Sequence, residues 1–206
     1  MYRRQPLYGW PIRVWYLTDW LAMKRAFDLV VSALGLIVLM PVMLIIAYRV
    51  SRSSPGGVLF VQPRVGKSEK MFQCYKFRTM AHGAPIAGSH EVAQSWITPT
   101  GRRLRSAKLD ELPQLFNVLR GDMSLVGPRP CLPNQAEVIA ARRVRNVFSI
   151  RPGITGTAQL ASIDMSTPEK LAQADSRYIE NQTFIGDLRI IAATVLGGGF
   201  GDAVRR

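Results

Sequence analysis

Cysteine is scarce. Cys74 and Cys131 are the only two in the chain, and no CxxC pair occurs. Two isolated thiols build neither a disulfide framework nor a zinc cage, and they fit a reducing compartment. Histidine is limited to His82 and His90, eight positions apart in a loop-like stretch with no ligand partners, which argues against a histidine-based metal site. The Gly-rich phosphate cradles GxGxxG and GxxxxGK[ST] are both missing, and Gly197-Gly198-Gly199 follows a predicted helix where such a motif would open one. There is no repeat and no low-complexity tract. Negative charge is also thin: 14 Asp and Glu stand against 27 Lys and Arg, a net charge of +13 over 206 residues. So basic a chain expects a polyanionic partner, whether nucleic acid, an anionic lipid face or a phosphorylated substrate. With 48% hydrophobic and 20% charged residues, a disordered tail is excluded and the core of one domain is within reach.

What the chain does have is one long apolar run. Leu29 to Tyr48 carries no charge over 20 residues, about 30 Å as a helix, the thickness of a bilayer's hydrocarbon core. It begins too far in and follows too aromatic a stretch for a cleavable signal peptide. Length alone suits a single span, but two features oppose that. Pro41 sits inside the run and removes a backbone donor. Basic residues, which mark the cytoplasmic side, flank it on both sides, with Arg3, Arg4, Arg13, Lys24 and Arg25 before it and Arg49, Arg52, Arg64, Lys67 and Lys70 after it. A helix-break-helix kinked at Pro41, entering and leaving through one leaflet, satisfies both. Asp28 near its start prefers a shallow place beside water or Arg25. Ahead of it, Tyr2, Tyr8, Trp10, Trp15, Tyr16 and Trp20 read as an interfacial arm at headgroup depth, or as an arm folded on the domain's own surface. The expected organisation is an arm over 1–23, a re-entrant membrane helix over 24–50 and a catalytic domain over 51–206.

The remainder predicts an α+β fold, mostly helical. Val58–Gln62 and Met71–Phe77 form a small β-hairpin, and residues 81–99 a long surface loop. Helices are expected at Thr100–Leu109 and Asp110–Leu119, the second capped by Asp110 and stopped at Gly121. A stiff loop follows over Gly127–Pro133, then a helix ending near Arg145, a loop over Arg151–Gly156, and two closing helices over Glu169–Gln182 and Asp187–Leu196. The last puts Leu188, Ile191, Ala192 and Val195 on one face, as an interfacial amphipathic helix does.

The densest chemistry lies in Lys108 to Pro130. Asp110 and Glu111 follow Arg102, Arg103, Arg105 and Lys108, and Arg129 comes after them. Locally Asp110 reads either as a helix cap or as a reactive carboxylate. Neighbouring cations and a helix N-terminus would hold it ionised, which suits a nucleophile or a Mg²⁺ ligand better than a general acid. Arg129, stiffened between Pro128 and Pro130, presents a fork suited to phosphate, or else a structural pairing with Asp122. Lys76 and Arg78 end a strand and point to an anionic site, and Arg151 opens a segment whose backbone amides resemble an anion nest.

Four motifs now stand together in order: Tyr75-Lys76-Phe77-Arg78-Thr79-Met80, Asp110-Glu111-Leu112-Pro113-Gln114-Leu115, Gly121-Asp122-Met123-Ser124-Leu125-Val126-Gly127-Pro128-Arg129-Pro130 and Arg151-Pro152-Gly153-Ile154-Thr155-Gly156. With Lys24-Arg25-Ala26-Phe27-Asp28 they resemble the bacterial sugar transferases known as small monotopic phosphoglycosyl transferases, over all but the N-terminal arm. The resemblance implies transfer of a phospho-sugar from a UDP-sugar to a polyprenyl phosphate such as undecaprenyl phosphate, with release of UMP, at the cytoplasmic face of the bacterial inner membrane. It assigns Asp110 as a nucleophile that forms a covalent intermediate and works with Mg²⁺, Glu111 as its partner, and Arg105 and Arg129 to the active site, with Lys76 and Arg78 in a basic motif near it. The implied partners are the UDP-sugar, the lipid acceptor and anionic lipid, without nucleic acid; a homodimer is compatible. The competing readings are a membrane-anchored basic adaptor or nucleic-acid-binding protein and a Mg²⁺-dependent nucleotide-sugar pyrophosphatase.

Overall fold

The computed structural model describes residues 12–85 and 93–198, with side chains from Trp20 onward. Tyr2, Arg3, Arg4, Tyr8, Trp10 and His90 lie outside the described residues, as do the side chains of Arg13, Trp15 and Tyr16. The chain opens with one helix, α1 (Ile12–Ser53), with Pro41 inside it. The break expected at Pro41 does not end the helix. A lone proline deletes one i→i−4 bond, and Pro41 is exposed, so its ring meets the open face where a helix bends most easily. Residues from Ile12 onward already belong to α1, which runs through the position expected to divide arm from membrane helix.

α1 packs against the rest of the chain over much of its length, chiefly on the helix over 114–120, where Ser32 is buried and Gly35 faces Leu115, and two further sets of contacts fix its ends. Near its start Lys24 is buried and donates to Asp187 Oδ2 at 2.5 Å and to the Val126 carbonyl at 3.2 Å. Asp28, also buried, accepts from the Leu125 amide at 3.2 Å, and Arg25 reaches the carbonyls of Leu119 and Met123. Asp28 therefore finds its polar partner in protein backbone. Trp20 Nε1 donates to the Gln182 carbonyl, so this member of the aromatic group folds onto the domain. Near the other end Ile46 and Val50 bury against Phe77 and Leu104, each worth about 1.5–3 kcal/mol of burial. Between these points Ile37 and Val38 are 70% and 71% exposed. The stretch Trp20–Ser53 is long and apolar enough to cross a membrane, and little of it is covered.

A loop leads to β1 (Leu59–Val65), which pairs antiparallel with β2 (Met71–Phe77), the hairpin read from sequence. After a long connection, α2 (Pro99–Ser106) starts from a Thr98 cap whose side chain accepts from the Gly101 amide. Asp110 caps no helix. It sits in a 3-10 turn over Leu109–Glu111 that leaves Lys108 in the left-handed region (φ 56°), and α3 (Gln114–Arg120) begins only after Pro113. Gly121 stops α3 at φ 94°, a conformation that suits glycine.

Two short strands are unexpected, one just ahead of the Gly127–Pro133 loop and one inside the Arg151–Gly156 loop. β3 (Ser124–Val126) pairs in parallel with β4 (Gly153–Thr155). Three residues carry no readable period, and glycine is poor in strands. Its role here is close approach: a Cβ on Gly127 would lie 2.7 Å from the Arg151 carbonyl oxygen, and one on Gly153 would collide with the Gly127 amide. Between these strands lies α4 (Ala136–Val144). The chain closes with α5 (Thr157–Leu160), α6 (Pro168–Glu180) and α7 (Phe184–Val195). The main core joins Cys74, Val118, Met123, Leu125, Val126, Tyr178 and Ile190, with Phe27 and Val31 of α1 packed on it. Over the described residues the fold is mostly helical, with two small sheets.

Candidate active site

The hairpin register sets the floor of the site. Phe60 pairs with Lys76, Gln62 with Cys74 and Arg64 with Phe72. Cross-strand partners project to the same face, so Gln62, Arg64 and Lys76 share one side. That side borders a cavity of about 200 Å³ lined by Phe60, Gln62 and Arg64 of β1, by residues 76–85, and by Arg105 and Asp110.

The wall opposite is built from Thr79. Its carbonyl accepts from the Thr98 amide at 3.0 Å and its hydroxyl from Arg105 Nε at 2.9 Å. A Cβ on Gly101 would occupy the place of the Thr79 carbonyl, so glycine lets the first turn of α2 approach the end of β2. That docking carries Arg105 to the cavity. Arg105 is only 7% exposed, and its NH1 is a buried donor without a partner.

Asp110 is 3% exposed and lines the cavity. Glu111 is adjacent in sequence, and its Oε1 accepts from Lys76 Nζ at 2.9 Å and from Arg129 NH2 at 3.1 Å. Arg129 therefore pairs with Glu111, while Asp122 lies beside Arg120 and Asn117. The loop carrying Arg129 is fixed by Arg142, whose NH1 donates to the Arg129 carbonyl at 2.8 Å and whose Nε donates to Asp175 at 3.0 Å. On the hairpin side, Arg64 NH1 donates to the Pro130 carbonyl at 3.0 Å and NH2 to Gln62 Oε1 at 2.7 Å.

The structure thus brings Asp110, Arg105, Lys76 and Arg78 to one cavity and joins Glu111 and Arg129 to Lys76 beside it. Arg78 lines the rim and donates to the Pro55 carbonyl. Arg151 is not among the cavity's lining residues; its Nε donates to the Gly121 carbonyl at 2.8 Å, tying β4 to the end of α3. Gln62, Thr79 and Arg142 escape the sequence reading, and Arg64 enters it only as flanking charge. The alternation Phe60-Gln62-Arg64 opposite Cys74-Lys76 is the signal that could have found the β1 pair. Cys74 lies near the same cations, but burial pushes its thiol up against their pull, leaving it protonated and a poor nucleophile.

Among the described residues no three His, Cys, Asp or Glu side chains converge as a metal cage. This donor set still fits Mg²⁺, which commonly takes one or two carboxylates and completes its shell with substrate phosphates and water.

The model of the bacterial sugar transferase family matches residues 19–198. The chain belongs to that family. It is 39% identical over 174 residues to an uncharacterized sugar transferase, EpsL, of Bacillus subtilis, covering 84% of this chain and 85% of that protein. It is 39% identical to a UDP-glucose:undecaprenyl-phosphate glucose-1-phosphate transferase of Caulobacter vibrioides, covering 84% of this chain and 68% of that one. An undecaprenyl-phosphate galactose phosphotransferase of Salmonella typhimurium is 36% identical; the aligned region is 84% of this sugar transferase but only 39% of that protein.

Proposed function

We propose that the chain transfers a phospho-sugar from a UDP-sugar to a polyprenyl phosphate such as undecaprenyl phosphate, releasing UMP, through a covalent intermediate on Asp110. The observation that carries this reading is a buried carboxylate on a small cavity that also holds an unpartnered arginine donor. Carboxylate attack on a diphosphate brings two anions together and requires fixed positive charge at the point of contact. An Asp110 carboxylate oxygen bonds to the sugar-bearing phosphorus as the bond from that phosphorus to the bridging oxygen breaks, and the electron pair leaves on UMP. The lipid phosphate then attacks the same phosphorus and restores the carboxylate. Arg105 holds the non-bridging oxygens. Glu111 orients Lys76 and Arg129 beside them and limits their net charge. Mg²⁺, held by Asp110 and the diphosphate, would supply further neutralisation of the phosphate charge.

The placement of α1 supports work at the cytoplasmic face of the inner membrane. Lys24 and Ile46, both docked on the same domain, are 22 positions apart (46 − 24), about 33 Å along a helix. A perpendicular span would carry them to opposite sides of the hydrocarbon core, whereas a helix bent at Pro41 into one leaflet, or lying along the membrane face, keeps both at the domain. This favours same-face residence, with the exposed apolar side of α1 in lipid. The acceptor never leaves that bilayer.

Asp110→Asn tests the chemistry. The variant should stay in the membrane fraction yet form neither UMP nor polyprenyl-linked product, and the wild type without acceptor should hold labelled phospho-sugar on protein. Normal turnover by the variant would remove Asp110 as nucleophile, and free sugar phosphate from the wild type would favour a pyrophosphatase.

A further inference from the structure

Arg105 is not the only buried donor that the site leaves unsatisfied. Gln62 is 5% exposed, and its Nε2 has no hydrogen-bond partner either. The direction of this amide is settled by its neighbour. Arg64 can only donate, and its NH2 lies 2.7 Å from the Gln62 amide oxygen. The carbonyl end of Gln62 therefore faces Arg64 and the NH2 end faces away. Arg64 is held in turn by the Pro130 carbonyl, one residue beyond Arg129. A chain of two hydrogen bonds from the Arg129 loop thus orients a neutral NH2 donor on β1. Gln62, Arg105 and Asp110 line one cavity.

Buried donors are nearly always paired, and a specific exception calls for an explanation. Two exceptions on one small cavity beside a buried carboxylate share a natural one: an oxygen-rich group that arrives with substrate. We infer that Gln62 is a catalytic residue, donating through Nε2 to a non-bridging oxygen of the phosphoryl group that Asp110 attacks, and that Arg64 is the positioning residue that aims it. This inference rests on the proposed transferase reaction. Its chemistry complements that of Arg105. A second cation would bind the ground-state diphosphate and the transition state alike, whereas an uncharged donor set in place beforehand contributes chiefly where charge builds on the oxygens in flight. No proton moves through Gln62; bonds form and break only at phosphorus.

Gln62→Glu is the informative change. It is nearly isosteric and still accepts from Arg64, so thermal unfolding in detergent should remain close to wild type, while the NH2 donor is lost. UMP release is followed with whichever of UDP-glucose, UDP-galactose or UDP-N-acetylgalactosamine the wild type turns over fastest, with undecaprenyl phosphate as acceptor. The expected result is a fall in kcat of about 100-fold or more with KM within about threefold, as for loss of one donor to a developing anion. Arg64→Lys, which keeps the charge but loses the fork, should lower kcat in the same direction and by less. Two results would overturn the inference: kcat within about threefold of wild type in Gln62→Glu, or a raised KM with unchanged kcat. If Asp110→Asn releases UMP as fast as the wild type while Gln62→Glu melts normally, the transferase reading itself fails, and this inference with it.

Discussion

Two places in this protein bury a lysine against a carboxylate, and they are built to different ends. At the base of α1, Lys24 meets Asp187, and Asp187 also accepts from Tyr178, whose hydroxyl takes a further donor from Gln182. Lys24 spends a second donor on the Val126 carbonyl. Every polar group named there has a partner, and the cluster is sealed. At the site, Lys76 and Arg129 converge on a single oxygen of Glu111, and two residues that line the adjoining cavity, Gln62 and Arg105, each keep a buried donor without a partner. The first arrangement is closed and positions a helix. The second leaves two buried donors over, on Gln62 and Arg105, which suits the anionic substrate proposed for it. Burial of a lysine does not separate structure from function; the balance of donors and acceptors around it does.

The comparison breaks most sharply at the anchor. Asp187→Ala leaves Lys24 buried without its carboxylate and should cost about 3–5 kcal/mol, the usual range for removing one partner of a buried pair. Thermal or denaturant unfolding in detergent reads it. Replacing both residues, as Lys24→Met with Asp187→Leu, should recover part of the loss, because no unpaired charge stays buried and the Tyr178 hydroxyl can still donate to the Val126 carbonyl. At the site the order inverts. Glu111→Gln should lower turnover by about 100-fold, because Lys76 and Arg129 then lose the charge that orients them. Its melting temperature should move less than that of Asp187→Ala. If turnover and stability fall together in the same proportion for both variants, the two clusters do not differ in kind.

A smaller effect sharpens the topology. Ile46 is the far docking point of α1 and is 5% exposed. Ile46→Ala should cost about 2 kcal/mol or somewhat more, while replacing exposed Ile37 by Ala should leave unfolding in detergent nearly unchanged. Same-face residence makes a separate demand. Cysteines placed at Arg13 and at exposed Ser68 should both resist a membrane-impermeant label added outside intact cells, and both should react after permeabilisation. Labelling of one alone would establish a full span.

Much of this was legible in the sequence, for identifiable reasons. The hairpin declared itself through alternating β-formers around a charged turn, and the closing helices through their periodicity. Asp110, Glu111, Arg105 and Arg129 stood out because charge was dense there while acidic residues were scarce elsewhere. What could not be read depended on tertiary partners. Whether Asp110 caps a helix turns on where Pro113 lets α3 begin. Whether Arg151 meets phosphate turns on the β3–β4 pair, formed by strands too short to carry a pattern. The role of Lys24 and Asp28 was hidden because their partners, Asp187 and the Leu125 amide, lie far along the chain. Gln62 looks like any polar strand residue until the register sets it beside the cavity.

The smallest effect concerns two arginines that follow one another in sequence. Arg143 pairs with Glu69 at the surface at 2.6 Å, and its hydrogen bond holds the Glu69 carboxyl below its ordinary value. Arg142 pairs with Asp175 in the interior at 2.8 Å, yet there burial outweighs the arginine and holds the Asp175 carboxyl above its ordinary value. A depressed carboxylate contributes stability above its unfolded pKa and loses it as pH falls through its folded pKa. A raised one does the opposite: the native state takes up its proton first, so the charge is unfavourable at neutral pH and the penalty is relieved as pH falls through the raised value. The two pairs should therefore titrate with opposite slopes. The stability gap between wild type and Glu69→Gln, followed by melting temperature from neutral pH into the acid range, should be small and should shrink as pH falls. For Asp175→Asn the wild type should gain on the variant over the same descent. Parallel slopes would mean that the interior arginine, and not desolvation, governs Asp175.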